Sequence, residues 1–335
     1  MRGRISWAAA CLTAGGGIWL GLASLSAQAP AGSDRTSASS QVAPRTPWGD
    51  PDLQGNYTNT YEYGTPLERP DQFAGRRLED VTGEELATIR RGIQQRTIDS
   101  FSGPIHAPDN WWQDNLDLHK GSQAWFVIDP EDGKIPPLTD AARQRTAERA
   151  AARKASGRGP ADSWEDRSLY DRCITRGLPG SMMPAIYGNQ FKIVQAPNYV
   201  AIMYEMIHET RVIPLDGRGF VGASIDQDMG DARGRWEGDT LVVETRNFKE
   251  RSVYRNADPD TLVLTERFAR MSPQQVRWTV TVNDPNTWTR PWTFSMPLAV
   301  DDRPFPHYEC HEGNYGLRNI LSAARAEEAA AAGRR

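Results

Sequence analysis

From Gln190 onward the apolar residues change period. Upstream they recur irregularly or at helical spacing. Downstream they alternate, and turn residues interrupt them about every ten positions. Residues 191–195, 199–205, 209–215, 240–245, 261–271, 275–284 and 288–298 each read as a strand. Ala196-Pro197-Asn198, Asp216-Gly217-Arg218, Ser272-Pro273 and Pro285-Asn286 read as turns between them. A meander of about seven strands on short connections predicts a mainly β protein, an antiparallel lipocalin-like barrel. Closing the barrel removes sheet edges that would otherwise invite pairing with other chains. Residues 229–248 lie in its middle. There Gly230, Gly234 and Gly238 read as turn glycines that aim Trp236 inward and launch the strand Thr240-Leu241-Val242-Val243-Glu244-Thr245.

The chain ahead of the barrel, residues 48–188, reads as an irregular, partly helical region packing over it. Tyr57, Asn59, Tyr61 and Tyr63 alternate as in a strand or extended arm. Thr82 and Glu85 form a capping box for a helix carrying Leu86, Ile89 and Ile93. Residues 100–117 are irregular around Trp111 and Trp112, and residues 124–128 read as a short strand. Thr139 caps a second helix that is rich in Ala and Arg and therefore exposed. Residues 166–176 read as a further helical turn. The barrel with a C-terminal clasp occupies 189–322, and 323–335 is a terminal helix or tail.

The first residues read as an export signal. Arg2 and Arg4 precede an apolar stretch over 5–25, and Ala27-Gln28-Ala29 resembles a cleavage site, with Ala27 and Ala31 as alternatives. An uncleaved anchor is the competing reading, and Gly15-Gly16-Gly17 weakens it as a span. Residues 1–29 are then a signal peptide and 30–47 a disordered linker, which predicts a periplasmic or secreted protein. Cys11 lies in the signal. The full chain has 39 Lys and Arg against 43 Asp and Glu, and losing Arg2 and Arg4 moves the net charge from −4 to −6. That sign argues against nucleic acid and anionic membranes as partners. No stable membrane insertion after cleavage is expected, and a monomer or small homo-oligomer is. The two remaining cysteines, Cys173 and Cys310, are expected to pair in an oxidising compartment. Two buried free thiols are the alternative.

Several motifs resemble a widespread family of exported, functionally uncharacterised bacterial proteins. They are Gly234-Arg235-Trp236-Glu237-Gly238-Asp239-Thr240-Leu241-Val242-Val243, Arg211-Val212-Ile213-Pro214-Leu215-Asp216-Gly217-Arg218 and Cys310-His311-Glu312-Gly313-Asn314-Tyr315-Gly316. Trp48-Gly49-Asp50-Pro51-Asp52-Leu53-Gln54-Gly55 and Thr65-Pro66-Leu67-Glu68-Arg69-Pro70 are similar to that family as well. The resemblance spans most of the chain beyond the signal and implies no particular activity. The strand entry at Trp236 is loosely similar to calycin barrels, which bears on fold alone.

Two constellations carry possible chemistry. Glu205 and His208 lie at a strand end or in the loop after it, where an imidazole beside a carboxylate serves as general base or metal ligand. His311 and Glu312 follow Cys310, whose disulfide would fix them in place. In each case a structural role competes: a strand-end hydrogen-bond network for the first, a clasp over the barrel mouth for the second. Arg211 and Arg290 are candidates to hold an anionic part of a substrate, and Trp236, Trp292 and Asn314 to line its site. No cofactor is predicted. A divalent metal remains possible if His208, His311, Glu205 and Glu312 converge, but no metal-binding spacing supports it.

These features lead to an exported enzyme using acid–base chemistry, of lyase, hydratase or isomerase type, on a small, partly apolar substrate in a barrel cavity. A periplasmic binding or carrier protein with the same cavity and no chemistry is the alternative. A metal-dependent hydrolase is a third.

Overall fold

A computed structural model describes residues 44–100 and 117–334. The expected signal peptide with Cys11, nearly all of the expected linker, and Trp111 with Trp112 lie outside the described residues.

The protein is mainly β, an antiparallel sheet curled into a nearly closed barrel. Strands β1 (Gly55–Thr58) and β2 (Val127–Asp129) come from the N-terminal region. β3 (Gln190–Ala196), β4 (Tyr199–Tyr204) and β5 (Thr210–Pro214) follow. β6 (Asp231–Glu237), β7 (Thr240–Arg246), β8 (Val263–Ser272), β9 (Gln275–Asn283) and β10 (Trp292–Val300) complete the set. The order around the wall is β5-β4-β3-β1-β10-β9-β8-β7-β6, with β2 added on β10. The N-terminal region is thus more than a covering layer. β1 is a wall strand, with Tyr57 opposite both Phe191 and Val300.

The closure follows from parity. Every neighbouring pair along this nine-strand path is antiparallel, so its two ends, β5 and β6, must run the same way. Parallel neighbours cannot share a hairpin, and the chain instead crosses from one to the other through residues 215–230. β5 and β6 share no ladder but pack through side chains. Gly234 makes this possible. A Cβ there would meet Leu215 Cδ2 at 2.5 Å and Ile213 Cγ2 at 2.9 Å. Gly234 is therefore a mid-strand close-approach residue, not the turn glycine the sequence suggests. Gly230 and Gly238, with φ of 68° and 59°, do sit in turns.

Strand alternation sends one face of each strand inward. Leu264, Glu266 and Phe268 of β8, Val276, Trp278, Val280 and Val282 of β9, and Trp292, Phe294, Met296 and Leu298 of β10 are all buried. Trp278 meets Phe294 edge-on at 5.5 Å, and Trp292 lies 5.9 Å from Phe294 and 5.7 Å from Trp288. These rings fill the interior. A barrel of this size has room for side chains or for a ligand, and here the side chains take it. The expected aromatic-lined cavity inside the barrel is replaced by packed core.

One end of the barrel collects the start of β3, the end of β4 and the starts of β5 and β6. The segment Cys173–Met183 lies over it as a strap. Leu178 and Met182 of the strap belong to the barrel core, and Asn59 Nδ2 donates to the Met182 carbonyl at 2.6 Å. Gly177 passes so close to the Ser252 carbonyl that a Cβ would fall 2.8 Å from it. The expected Cys173–Cys310 disulfide is present, with Cα atoms 5.8 Å apart, and staples the strap to the C-terminal clasp.

Helix α1 (Gly83–Ser100) buries Arg90 and Ile93. Helix α2 (Asp140–Ala155) starts at Thr139, whose hydroxyl accepts from Ala142 N at 3.1 Å, and it is largely exposed. Helix α3 (Tyr315–Ala332) begins well before the predicted tail because Asn314 Oδ1 caps it, accepting from Leu317 N at 3.1 Å.

Candidate functional site at the strap end of the barrel

The chain between β4 and β5 makes a short turn with unusual backbone. Ile207 has φ of 67° and His208 of 55°, two successive left-handed residues, one of them β-branched. Each costs on the order of 1–3 kcal/mol and persists only where the surroundings impose it. Here the preceding residue, Met206, is buried against Gly188, where a Cβ would meet the Met206 methyl at 2.4 Å. The loop after the strand, one of the two placements the sequence allows for Glu205 and His208, is what forms, and the strand read over 209–215 is β5.

Three titratable side chains leave the turn. The Glu205 carboxylate accepts from Gln190 N at 3.0 Å, and burial pushes its pKa up from the ordinary carboxylate value. His208 is exposed, and its Nε2 accepts from the Tyr308 N–H at 2.8 Å. The neutral ring therefore carries its proton on Nδ1. Glu209 accepts from the Thr175 hydroxyl at 2.7 Å, and burial pushes its pKa up too. Glu205 does not orient His208, as the sequence suggested. The Tyr308 backbone and the His307 ring, 4.5 Å away, do so.

Above the turn sits a cluster of phenols. Tyr170 and Tyr187 share a hydroxyl–hydroxyl hydrogen bond at 3.4 Å, and the Tyr187 and Tyr308 rings lie 6.4 Å apart. Burial raises the pKa of Tyr170 and of Tyr308. Tyr170 is shared by two clefts. One, of about 380 Å³, runs along the disulfide between Tyr187, Tyr308 and Leu317. The other, of about 540 Å³, lies between the strap and residues 251–254, and Thr175 and Arg176 line it.

Arg176 differs from the buried arginines. It is half-buried, its Nη1 is shielded from solvent, and none of its nitrogens has a hydrogen-bond or ion-pair partner among the described residues. The Tyr170 ring lies 5.5 Å from its Cζ. Burial lowers its pKa, and the charges that oppose this come from Tyr170 and Tyr187, not from carboxylates.

The other residues singled out from sequence fall in several places. His311 and Glu312 are exposed in the turn after Cys310, and the histidine that lies against His208 is His307. Asn314 caps α3 and donates to the Asp171 carbonyl at 2.8 Å, which ties the clasp to the strap. Arg211 points into the barrel, where it forms a two-pronged ion pair with Glu266, one prong at 3.1 Å. Burial opposes its charge, but Glu266 more than offsets this and its pKa is raised. It is 4% exposed and has no face toward a cleft. Arg290 pairs with Asp129 at 2.8 Å on the surface. Trp292 is core, and Trp236 is half-buried against the core. Among the described residues no group of three or more His, Cys, Asp or Glu side chains is placed to hold a metal ion.

Sequence reasoning missed Arg176, Thr175, Glu209 and His307. Arg176 had a visible signal: it stands between a cysteine expected to be stapled and the Gly177-Leu178-Pro179-Gly180 turn, so its backbone is fixed on both sides. Comparison with protein-family models, with curated proteins and with solved structures gives no match.

Proposed function

We propose that this is an exported enzyme performing acid–base chemistry, of lyase, hydratase or isomerase type, on a small, partly apolar substrate. The site is the strap end of the barrel, not its interior. The observation that carries this reading is the 205–209 turn. It holds two carboxyls whose pKa burial raises, on either side of an imidazole, in a backbone conformation that costs free energy. Carboxyls raised by burial are suited to proton transfer near neutral pH, and strained backbone concentrates at functional sites. Thr175 links Glu209 to the cleft. Its hydroxyl can pass a proton to the carboxylate while taking one from a substrate carbon. His208, with Nε2 occupied by the Tyr308 N–H, offers Nδ1–H as a donor. The disulfide supports export, because such bonds persist in oxidising compartments.

The test is solvent-deuterium incorporation. A panel of small keto, hydroxy and enoic acids is incubated with the protein in D2O and followed by NMR. Incorporation next to the carbonyl is expected for at least one member. Glu209→Gln, folded by circular dichroism, is expected to slow it by roughly a hundredfold or more. The rate should rise with pH along a limb above the ordinary carboxylate range, as Glu209 ionises late. Incorporation at wild-type rate in Glu209→Gln would end the assignment. Binding across the panel with no incorporation would favour a carrier protein instead, a reading that the unpaired Arg176 in the cleft also supports.

A further inference from the structure

We propose that Arg176 anchors a carboxylate-binding site in the strap-end cleft, and that its ligand is a small monocarboxylate with an apolar body. This names the ligand class of the cleft that the acid–base reading uses, yet it concerns binding alone and stands or falls separately.

The first support is the treatment of the protein's fully buried arginines. Arg90 is fully buried, and its guanidinium donates to the Leu118 carbonyl at 2.8 Å, to Thr65 and to the Tyr61 carbonyl, with Glu62 3.7 Å away. Arg211 donates from both terminal nitrogens to Glu266, which also accepts from Trp278 Nε1 at 3.0 Å, and only its Nε is without a partner. A guanidinium withdrawn from water without an anion or acceptor loses hydration and gains nothing in return. Arg176 is the case that departs from the pattern among these three. Its missing partner is an anion, and the cleft that it lines is where one can enter.

The second support is the charge of the surroundings. Arg251 also lines the cleft, but Asp228 holds it at 2.7 and 2.9 Å and neutralises it. One guanidinium is left without a counter-charge, which suits a monoanion. Phosphate and sulfate sites gather several donors, commonly at a helix N-terminus or an arginine cluster. A planar guanidinium instead matches a carboxylate two-to-two.

The third support is size and wall chemistry. About 540 Å³ is far more than an inorganic ion fills. It lies within the range of roughly 300–1,000 Å³ typical of small-molecule sites. Leu169, Met183, Val253 and Tyr254 supply apolar surface, and Ser168 and Ser252 are among the other lining residues. The ligand therefore has a carboxylate for Arg176 and an apolar body of about one aromatic ring for the walls.

The test is calorimetric titration of the full-length protein, isolated from its export compartment, in low-salt buffer. The probes are benzoate, its neutral analogue benzyl alcohol, and sodium sulfate. Benzoate is expected to bind, with benzyl alcohol at least tenfold weaker and sulfate without measurable heat. Arg176→Gln is expected to weaken benzoate by about ten- to a hundredfold, the usual loss for a charge-assisted hydrogen bond. Arg176→Lys should fall between, keeping the charge and losing the fork. Arg218→Gln, at the opposite end of the barrel on an ion pair with Asp216, should leave benzoate binding unchanged. No benzoate binding, equal binding to Arg176→Gln, or tighter binding of sulfate than of benzoate overturns the proposal. If Arg176→Gln does not fold, crystals of the wild type soaked in 4-bromobenzoate decide. The carboxylate on Arg176 with bromine in the cleft supports the site, and bromine elsewhere or nowhere overturns it.

Discussion

Arg211 is buried and Arg176 half-buried with its Nη1 shielded, and the protein handles them in opposite ways. Arg211 stands on an inward face of β5, and a carboxylate on β8 was placed to meet it. Arg176 stands on the strap with the Tyr170 ring 5.5 Å from its Cζ and no carboxylate paired with it among the described residues. The barrel interior pairs the Arg211 charge with Glu266, leaving Arg211 Nε and the Tyr204 hydroxyl without a hydrogen-bond partner among the described residues, and fills its remaining volume with rings. The strap end leaves charge, volume and strained backbone unresolved. A fold tolerates such features where something outside the chain completes them, so the contrast separates scaffold from site.

The contrast can be sharpened first at the disulfide. Cys173 and Cys310 close a loop spanning 137 positions. In the chain-entropy model a loop of that length contributes about 4–5 kcal/mol. Urea denaturation with and without reductant should show a loss of that order. Amide exchange should accelerate in residues 173–183 before it does in β8 and β9. Equal acceleration in both regions would mean that the strap and the barrel interior are one unit, and the distinction would collapse.

Next comes the interior pair. Arg211→Met leaves the Glu266 carboxylate buried without its partner and is expected to cost about 3–5 kcal/mol. The double variant Arg211→Met with Glu266→Met removes both charges and should recover most of that loss, as measured by urea midpoint. A single variant with little effect would show that Glu266 finds other partners, and that the interior is less committed than its geometry implies.

A smaller effect is expected from pH. The folded-state pKa of Glu209 is raised, so the folded protein holds this proton more tightly than the unfolded chain does. Its contribution to stability is fully present below the unfolded carboxyl pKa and is lost as pH rises through the folded value. Glu209→Gln should therefore flatten that part of the stability–pH curve and be relatively more stable than wild type at neutral pH. A curve of unchanged slope would remove burial of Glu209 from the description of the site.

Much of the barrel was legible in the sequence because period-two alternation is a local signal. Phe191, Ile193, Val276, Trp278, Val280 and Val282 point inward as their spacing requires. The disulfide was legible from counting cysteines. The seam was not, because it depends on the parity of the whole ring and shows locally only as Gly234 inside a strand. β6 was hidden by the same glycines that make it possible. The site was half legible. Glu205 and His208 were visible as residue types, but their geometry depends on two left-handed residues that no side-chain pattern announces. His307 replaces His311 beside His208 because the clasp folds back through Tyr308. Arg176 escaped notice because its distinction is a missing partner, and absence of a partner is a tertiary fact.

The most direct measurement is the unfolding free energy of Arg176→Gln without ligand, set beside that of Arg211→Met. If Arg176 is held for a ligand, its loss removes an uncompensated, half-buried charge, and the variant should be as stable as wild type or more so, within about 1 kcal/mol. A loss of about 3 kcal/mol or more, like that expected for Arg211→Met, would make Arg176 a structural residue and contradict the division between a finished interior and an open strap end.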